Sequence, residues 1–334
     1  MLKALVNEAH LRLHITTTGP LLIKTGYATV IGADMAPVMT YHNGQQEVYI
    51  PGSSLKGVFR SHIEKVVNSI KPRIACNPLA RTEDRRDDRQ LYRASCGDRF
   101  NDKMPPHTVY ADSCPTCRLF GSTSYIGRIS VEDAYLPEGA FEKQKLIEHR
   151  DGIAIDRLTG GVSGNAKFDL EVVTEGTTFT TDIHLRNFEI WQLGMLFVVF
   201  QDMQDELIRI GSGRSRGLGK VKASISELEE GSHQGGVVLS TMRTGTKQQA
   251  EPENELWGLG CWLAYEGEDE KTYRTRRDDL LILPQEVAHV PSGIRNIRVF
   301  NGETLNKLKE QSIESFVIQM EQWPDAPQVT AQRR

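Results

Sequence analysis

Four cysteines in the first half of the chain have the composition of a metal site. Cys114 and Cys117 form a CxxC pair, and Cys76 and Cys96 lie upstream in a polar segment without clear periodicity. Four thiolates complete a tetrahedral zinc site, which is structural because no coordination position stays open for catalysis. We therefore expect one structural zinc ion here, with His107 as a substitute for one upstream cysteine. The alternative is that Cys76 and Cys96 are unrelated thiols.

A glycine-rich loop at 211–219 has the residues of a phosphate-binding loop. Arginine can form two parallel hydrogen bonds to phosphate, and glycine lets the backbone approach a ligand closely. Contacts of this kind hold RNA in place without reading its sequence. A plain turn is the alternative, and the Gly-Lys-Ser/Thr of a Walker loop is absent. The residues that we assign to RNA binding in this loop are Gly211, Gly213, Arg214, Arg216, Gly217 and Gly219.

A second candidate for RNA contact lies at 50–60, where Ile-Pro-Gly-Ser-Ser-Leu-Lys-Gly begins a stretch of apolar residues at helical spacing. Lys56 and Arg60 are four residues apart, so they lie on the same face of the predicted helix. The N-terminus of a helix also attracts phosphate groups. We assign both residues to RNA binding, and an ordinary capped helix with exposed basic residues is the alternative.

The order of the predicted elements determines where these groups can lie. Alternation of apolar and polar residues predicts strands, and helical spacing predicts helices. The resulting order favours an α+β fold with a ferredoxin-like (RRM-like) core. In chain order the predicted segments are a strand at 10–16, a helix at 55–70, an insertion at 71–118, a strand at 129–134, a glycine-rich hairpin at 150–168, a helix at 189–208, the glycine loop, a strand at 220–226 and a helix at 303–322.

Composition and charge exclude some classes of protein. Of the 334 residues, 39% are hydrophobic, which suffices for a packed core, and the net charge of −4 does not by itself indicate nucleic acid. No stretch approaches the roughly 20 apolar residues of a membrane span, and the N-terminus lacks the apolar region of a signal peptide. An odd number of cysteines argues against a disulfide framework, and Cys261 is predicted to lie in the core. We expect a cytoplasmic protein that has no membrane partner.

Four segments, in the same order, resemble motifs of the RAMP superfamily of CRISPR effector proteins. Residues 50–60 resemble the IPGSSLKG-x-x-R signature, and residues 114–121 resemble the C-P-x-C-x-L-F-G element. Residues 155–160 resemble the I-D-R-x-T-G segment of the thumb hairpin, and residues 211–219 resemble the glycine loop before the last core strand. Within the superfamily, the likeness is to the repeated backbone subunit of type III effector complexes.

The resemblance implies a division of the chain. Residues 1–230 would form the ferredoxin-like core, which carries the zinc-bearing insertion at 71–118 and a thumb at 152–168. Residues 231–334 lie outside the family pattern, and we assign them to a C-terminal extension or small subdomain. The implied partners are guide RNA (crRNA), complementary target RNA and other CRISPR effector subunits.

The resemblance also implies roles for individual residues. The thumb wedges into the guide–target duplex, so Ile155 and Arg157 are assigned to RNA binding. In catalytic members, an aspartate between the first strand and the IPGSSLKG segment cuts the target. Asp34 is the one acidic residue in the corresponding part of this chain. It could accept a proton from the attacking 2′-hydroxyl group or hold a divalent metal ion such as Mg²⁺.

Other functions remain open at this point. A non-catalytic structural subunit that binds guide RNA would need no loop carboxylate, so Asp34 distinguishes it from a nuclease. An endonuclease that matures guide RNA would need a histidine, tyrosine and lysine near the glycine loop, where His233 is the nearest histidine. A metabolic enzyme is disfavoured because the chain shows neither a nucleotide-binding strand–loop–helix nor a triad-like motif.

Overall fold

The computed structural model describes residues 4–25, 33–80, 94–101, 103–140, 146–226, 236–242 and 251–325. Up to residue 140 the elements are β1 (Asn7–Thr17), β2 (Met39–His42), β3 (Gln45–Val48), α1 (Gly52–Ile70), α2 (Cys96–Arg99), α3 (Pro106–Asp112), α4 (Pro115–Phe120), β4 (Gly121–Ser122), β5 (Tyr125–Ile126) and β6 (Ile129–Val131). The later elements are β7 (Ile147–Ile155), β8 (Val162–Val173), β9 (Thr178–Arg186), α5 (Ile190–Gln204), a 3-10 turn (Arg214–Arg216), β10 (Val221–Ile225), β11 (Val237–Met242), β12 (Glu255–Trp257), α6 (Leu259–Tyr265), α7 (Glu270–Tyr273), β13 (Leu280–Ile282), β14 (Ala288–Ser292), β15 (Arg295–Phe300) and α8 (Gly302–Glu321).

The central strand β1 organises a large antiparallel sheet. Its alternate residues, among them Leu11, Leu13 and Ile15, are buried, while His10 and Arg12 face the opposite side. One edge of β1 pairs with β9, and the other edge pairs with β10 and β11 in succession. The order across the sheet is β14-β15-β11-β1-β9-β6, with β10 also beside β1. The α+β class predicted from the sequence is therefore confirmed.

Six of these elements form a core and, in chain order, are a strand, a helix, two strands, a helix and a strand; the other elements are inserted between them. They are β1, α1, β6, β9, α5 and β10, and their strands lie in the order β10-β1-β9-β6 with antiparallel neighbours. The three core strands and two helices predicted in this part of the chain coincide with β1, β6, β10, α1 and α5. The glycine loop connects α5 to β10, as predicted.

Helix α5 is buried over most of its length. It is apolar on nearly every side, as expected of a helix that packs against neighbours all round. The sheet covers one side through β10, and α8 covers another. Gly194 of α5 permits this close approach, because a side chain there would overlap the carbonyl group of Ser312 in α8. The predicted helix at 303–322 corresponds to α8.

The residues after 236 extend the core sheet. Strand β11 pairs with β1 and with β15, and β15 pairs in turn with β14. The predicted boundary at residue 230 falls outside the described residues, and the division of the chain there stays a prediction. None of the described helices is long and apolar enough to cross a membrane.

The contact between α5 and α8 generates a stability prediction. Gly194→Ala should lower the free energy of unfolding by about 1–3 kcal/mol, because overpacking at a backbone contact forces the two helices apart. Gly57→Ala is the matched control. Gly57 is also helical but has open space around it, so alanine should be neutral or stabilising by up to roughly 1 kcal/mol. Urea unfolding followed by circular dichroism gives both values, and equal effects of the two changes would contradict the packing.

Candidate functional site

The four predicted metal ligands form one buried cluster. The sulfur atoms of Cys76, Cys96, Cys114 and Cys117 all lie within 4.8 Å of one another. A tetrahedron with zinc–sulfur bonds of about 2.3 Å has edges of about 3.8 Å, so this spacing suits one ion. The sulfur atoms of Cys76 and Cys117 are 3.5 Å apart, and all four thiols are free of disulfides. The cluster could therefore bind a metal ion such as zinc.

Short helices hold these cysteines in place. Cys96 begins α2, and Cys114 is the N-cap residue of α4, where Pro115 occupies the first turn. The backbone amide of Cys114 donates to the sulfur of Cys96 at 3.3 Å, and the amide of Cys117 donates to the sulfur of Cys114 at 3.4 Å. These amides would stabilise thiolates, which are the form that binds metal.

Hydrogen bonds between the thiols influence the protonation of the cluster. Hydrogen bonding to the Cys114 sulfur, together with burial, raises the pKa of the Cys76 and Cys117 thiols. A bound metal ion would displace such protons. His107 is not part of the cluster; its ring lies 6.0 Å from that of Tyr273. Cys261 is buried beside tryptophans, as predicted.

The glycine loop folds back on an earlier segment of the chain. Gly211, Gly213, Gly217 and Gly219 all have positive φ angles, which explains why glycine is present at each position. The amide of Ser212 donates to the carbonyl of Leu22 at 2.7 Å, and the amide of Gly219 donates to that of Pro20 at 2.8 Å. The two arginines, Arg214 and Arg216, project from the loop and are exposed.

Asp34 lies at the base of the β7–β8 hairpin. Its carboxylate is exposed and accepts a hydrogen bond from the backbone amide of Asp169 in β8 at 3.1 Å. The neighbouring Met35 pairs with Leu170 of the same strand. The structure thus brings the candidate catalytic residue to the root of the predicted thumb, although more than 130 residues separate them in the sequence.

One small apolar cluster joins these parts. Leu22, Val172 and Leu218 are buried against each other, and Met35 and Leu170 pack on them. These residues belong to the segment after β1, the segment of Asp34, the hairpin and the glycine loop. In addition, the guanidinium of Arg216 lies over the Phe168 ring, 5.9 Å from its centre. Sequence patterns gave no sign of this cluster, because its members come from segments that are far apart in the chain.

The predicted thumb at 152–168 contains the tip of the β7–β8 hairpin. Ile155 is 64% exposed, and Leu158 in the turn is 97% exposed. The carboxylate of Asp156 accepts hydrogen bonds from the backbone amides of Leu158 at 2.9 Å and Thr159 at 2.8 Å. These bonds lower the pKa of Asp156 and hold the turn so that Arg157 is presented to solvent.

Lys56 and Arg60 share a face of α1, as predicted, but that face meets the protein interior. Lys56 donates to the carbonyl oxygen of Ile129 at 3.0 Å. Arg60 donates to the carbonyl oxygen of Gly121 and to the sulfur of Cys117. The assignment of both residues to RNA binding stays a prediction, and their observed partners lie within the chain.

The N-terminus of α1 also has a hydrogen-bond partner within the chain. The backbone amide of Gly52, at the N-terminus of the helix, donates to the carboxylate of Asp133 at 2.7 Å. His233, the histidine considered for guide maturation, lies outside the described residues. Within the described ranges, Asp34 belongs to no cluster of metal-ligating side chains, and the four cysteines form the one such cluster found.

Comparison with known proteins agrees with this α+β architecture and identifies its family. The family model of the RAMP superfamily matches residues 14–222, which is more than half of the chain. The chain therefore belongs to the RAMP superfamily, and this membership supports a CRISPR-associated RNA-binding role. A search of curated proteins found no match.

The turn at the hairpin tip generates a prediction about local order. Asp156→Ala removes the acceptor of several hydrogen bonds, each worth about 1 kcal/mol, so the turn should open more often. Limited trypsin digestion should then cut after Arg157 about fivefold faster than in Asp156→Asn, which removes the charge but keeps an acceptor oxygen. Equal rates for the two variants would show that these hydrogen bonds do not hold the turn.

Proposed function

We propose that this chain is a guide-RNA-binding backbone subunit of a type III CRISPR ribonucleoprotein and that it cleaves complementary target RNA with Asp34. The observation that carries the proposal is the packing of the glycine loop, the Asp34 segment and the hairpin root on the cluster of Leu22, Val172 and Leu218. A loop that grips RNA, a hairpin that enters the duplex and a candidate catalytic acid are thereby neighbours.

The arrangement of the core supports this proposal. The order β-α-β-β-α-β along the chain, with the strand order β10-β1-β9-β6, supports a ferredoxin-like domain. We propose that this domain is the RNA-binding core and that the residues after 230 are an extension of it. The insertion at 71–118 contains the cysteine cluster. Its helix α4 packs against α1.

Each RNA contact in the proposal has a distinct physical role. Arg214 and Arg216 are exposed cations on a rigid glycine loop and would bind the guide backbone. Arg157 and the apolar Ile155 and Leu158 lie at the hairpin tip. Apolar side chains of this kind can insert between base steps in a nucleic acid duplex. The hairpin tip would therefore interrupt the guide–target duplex, while Asp34 lies at the root of the same hairpin.

The chemistry expected at Asp34 is a transesterification within the target strand. The 2′-oxygen forms a bond to the adjacent phosphorus while the bond to the 5′-oxygen breaks, which leaves a 2′,3′-cyclic phosphate. Asp34 would accept the proton of the 2′-hydroxyl group, and water would supply a proton to the departing 5′-oxygen. Displacement of a nucleotide by the hairpin would free the backbone for in-line attack. A divalent ion such as Mg²⁺ could assist at this position.

A scaffold without nuclease activity is the second candidate. The hydrogen bond from the Asp169 amide gives the Asp34 carboxylate a structural use, since it fixes the Asp34 segment to the hairpin. In that case the same contacts would bind guide RNA, and another subunit would cut the target. The two candidates differ in whether Asp34 is needed for cutting.

We propose that the cysteine cluster holds one structural zinc ion. Cys76, Cys96, Cys114 and Cys117 would supply four thiolates, and zinc would contribute folding energy to an insertion whose apolar core is small. The ion would fix α2, α3 and α4 beside α1. It takes no part in RNA cleavage in this proposal.

Removal of the zinc ligands should destabilise the protein. Purified protein should contain about one equivalent of zinc, and Cys76→Ser should lower both the zinc content and the unfolding temperature. Cys261→Ser is the control, because this buried cysteine lies outside the cluster and should leave the zinc content unchanged. Elemental analysis and thermal unfolding give both readouts. Metal-free protein with unaltered stability would rule out structural zinc.

Loss of the loop arginines should weaken RNA binding without regard to sequence. Changing Arg214 and Arg216 to Ala removes two phosphate contacts, so the slope of log K against log salt should fall by about 1.4 for single-stranded RNA. The control changes Arg274 and Arg277, which are exposed in the C-terminal part. Filter binding with guides of several sequences measures the effect. A loss confined to certain sequences would mean that the loop reads bases.

The role of Asp34 distinguishes the two candidate functions. Asp34→Asn in the assembled complex should slow target cleavage by about 10²–10⁴-fold while target binding persists, because base pairing supplies recognition. Asp205→Asn replaces an exposed aspartate that caps the C-terminus of α5, and this variant should cut normally. A target with a 2′-deoxy group at the scissile position should resist cleavage. If the complex with Asp34→Asn cuts at the normal rate, this chain is a scaffold and another subunit is the nuclease.

A further inference from the structure

Arg60 donates three hydrogen bonds within the protein, and one of them goes to the cysteine cluster. Its Nη2 atom donates to the sulfur of Cys117 at 3.3 Å, and Nη1 donates to the carbonyl oxygen of Gly121 at 2.9 Å. Its Nε atom donates to the carboxylate of Glu64 at 2.8 Å. The side chain is 22% exposed, so the guanidinium lies largely within the protein. All three of its nitrogen atoms are therefore used inside the chain.

The charge of the site explains why a cation is needed there. Four thiolates carry twice the charge of one Zn²⁺ ion, and the excess lies in a buried environment where charge is costly. Two of the sulfur atoms, those of Cys96 and Cys114, accept hydrogen bonds from backbone amides within the cluster. The sulfur of Cys117 instead accepts from Arg60, which supplies a full positive charge.

We infer that Arg60 is a positioning residue of the metal site: it orients the Cys117 thiolate, offsets the excess negative charge and attaches α1 to the metal-bearing insertion. The inference rests on the proposed zinc ion. It also gives Arg60 a role different from the RNA contact expected from the sequence, since the basic group at the end of the IPGSSLKG-x-x-R segment faces the thiolates. Groups that hydrogen-bond metal ligands typically change metal affinity 10–100-fold when they are removed.

The shape of the arginine side chain matters as much as its charge. The acceptors of Arg60 are a thiolate, a carbonyl oxygen and a carboxylate, and each is bonded to a different guanidinium nitrogen. A lysine ammonium group is a compact charge that lacks this planar fork. Arg60→Lys would keep the charge near Cys117 but could not maintain all three contacts. The comparison of lysine and glutamine at position 60 therefore separates charge from geometry.

The test measures zinc retention and RNA affinity on the same proteins. Wild type, Arg60→Gln, Arg60→Lys and the control Lys65→Gln are loaded with zinc, and release to a colorimetric chelator is followed at constant pH. Lys65 lies on the exposed side of α1, so its variant controls for charge loss on this helix. We expect release 10–100-fold faster for Arg60→Gln, an intermediate rate for Arg60→Lys and the wild-type rate for Lys65→Gln.

Guide RNA affinity at saturating zinc provides the second readout. It should stay within about twofold of wild type in Arg60→Gln, because the residue acts through the metal site. Unchanged zinc release in Arg60→Gln would overturn the inference, and lower RNA affinity with unchanged release would make Arg60 an RNA ligand. Wild-type protein that binds no zinc would instead refute the zinc proposal itself. If Arg60→Gln does not fold, Arg60→Lys is measured instead. Zinc release faster than wild type would support the inference, and release at the wild-type rate would overturn it.

Discussion

The packing of Leu22, Val172 and Leu218 is the interaction on which the proposed RNA site depends. The three residues come from segments that are far apart in the chain, and their contact brings those segments together. Packed together, they fix the glycine loop, the Asp34 segment and the hairpin root relative to one another. The left-handed glycines serve this packing, because Gly211 and Gly219 lie directly against neighbouring carbonyl groups. Exposed arginines and a carboxylate can then occupy defined positions at the surface.

The cysteine cluster performs the corresponding task in the insertion. The insertion contains short helices that are too small to be stable by themselves, and its sulfur atoms converge within 4.8 Å. Arg60 links this cluster to α1, while at the N-terminus of the same helix Asp133 accepts a hydrogen bond from the Gly52 amide. The signature segment at 50–60 is thus a structural connection between the core sheet and the insertion, whereas the RNA contacts proposed above lie on the glycine loop and the hairpin.

Local features of the structure could be predicted from the sequence, and long-range contacts could not. Alternation in β1 and helical spacing in α5 each reflect a pattern within a few residues, and these elements were found where expected. The cluster of Cys76, Cys96, Cys114 and Cys117 is the exception, because the chemistry of a four-thiolate site predicted a contact across 41 positions. Helical spacing shows that Lys56 and Arg60 share a face, but it does not show that this face meets Ile129 and Cys117. The pairing of β11 with β1 joins residues more than 200 positions apart, and no local pattern encodes it.

Photo-cross-linking of the assembled complex tests the central claim most directly. Guide RNA that carries photoreactive nucleotides along its length is irradiated in the complex, and the cross-linked peptides are identified by mass spectrometry. The account predicts cross-links to the glycine loop at 211–219 and to the hairpin tip at 152–168, with few to the face of α1 that holds Lys56 and Arg60. Cross-links confined to that face of α1, or to the face of the sheet that carries His10 and Arg12, with none in the loop or hairpin, would contradict it.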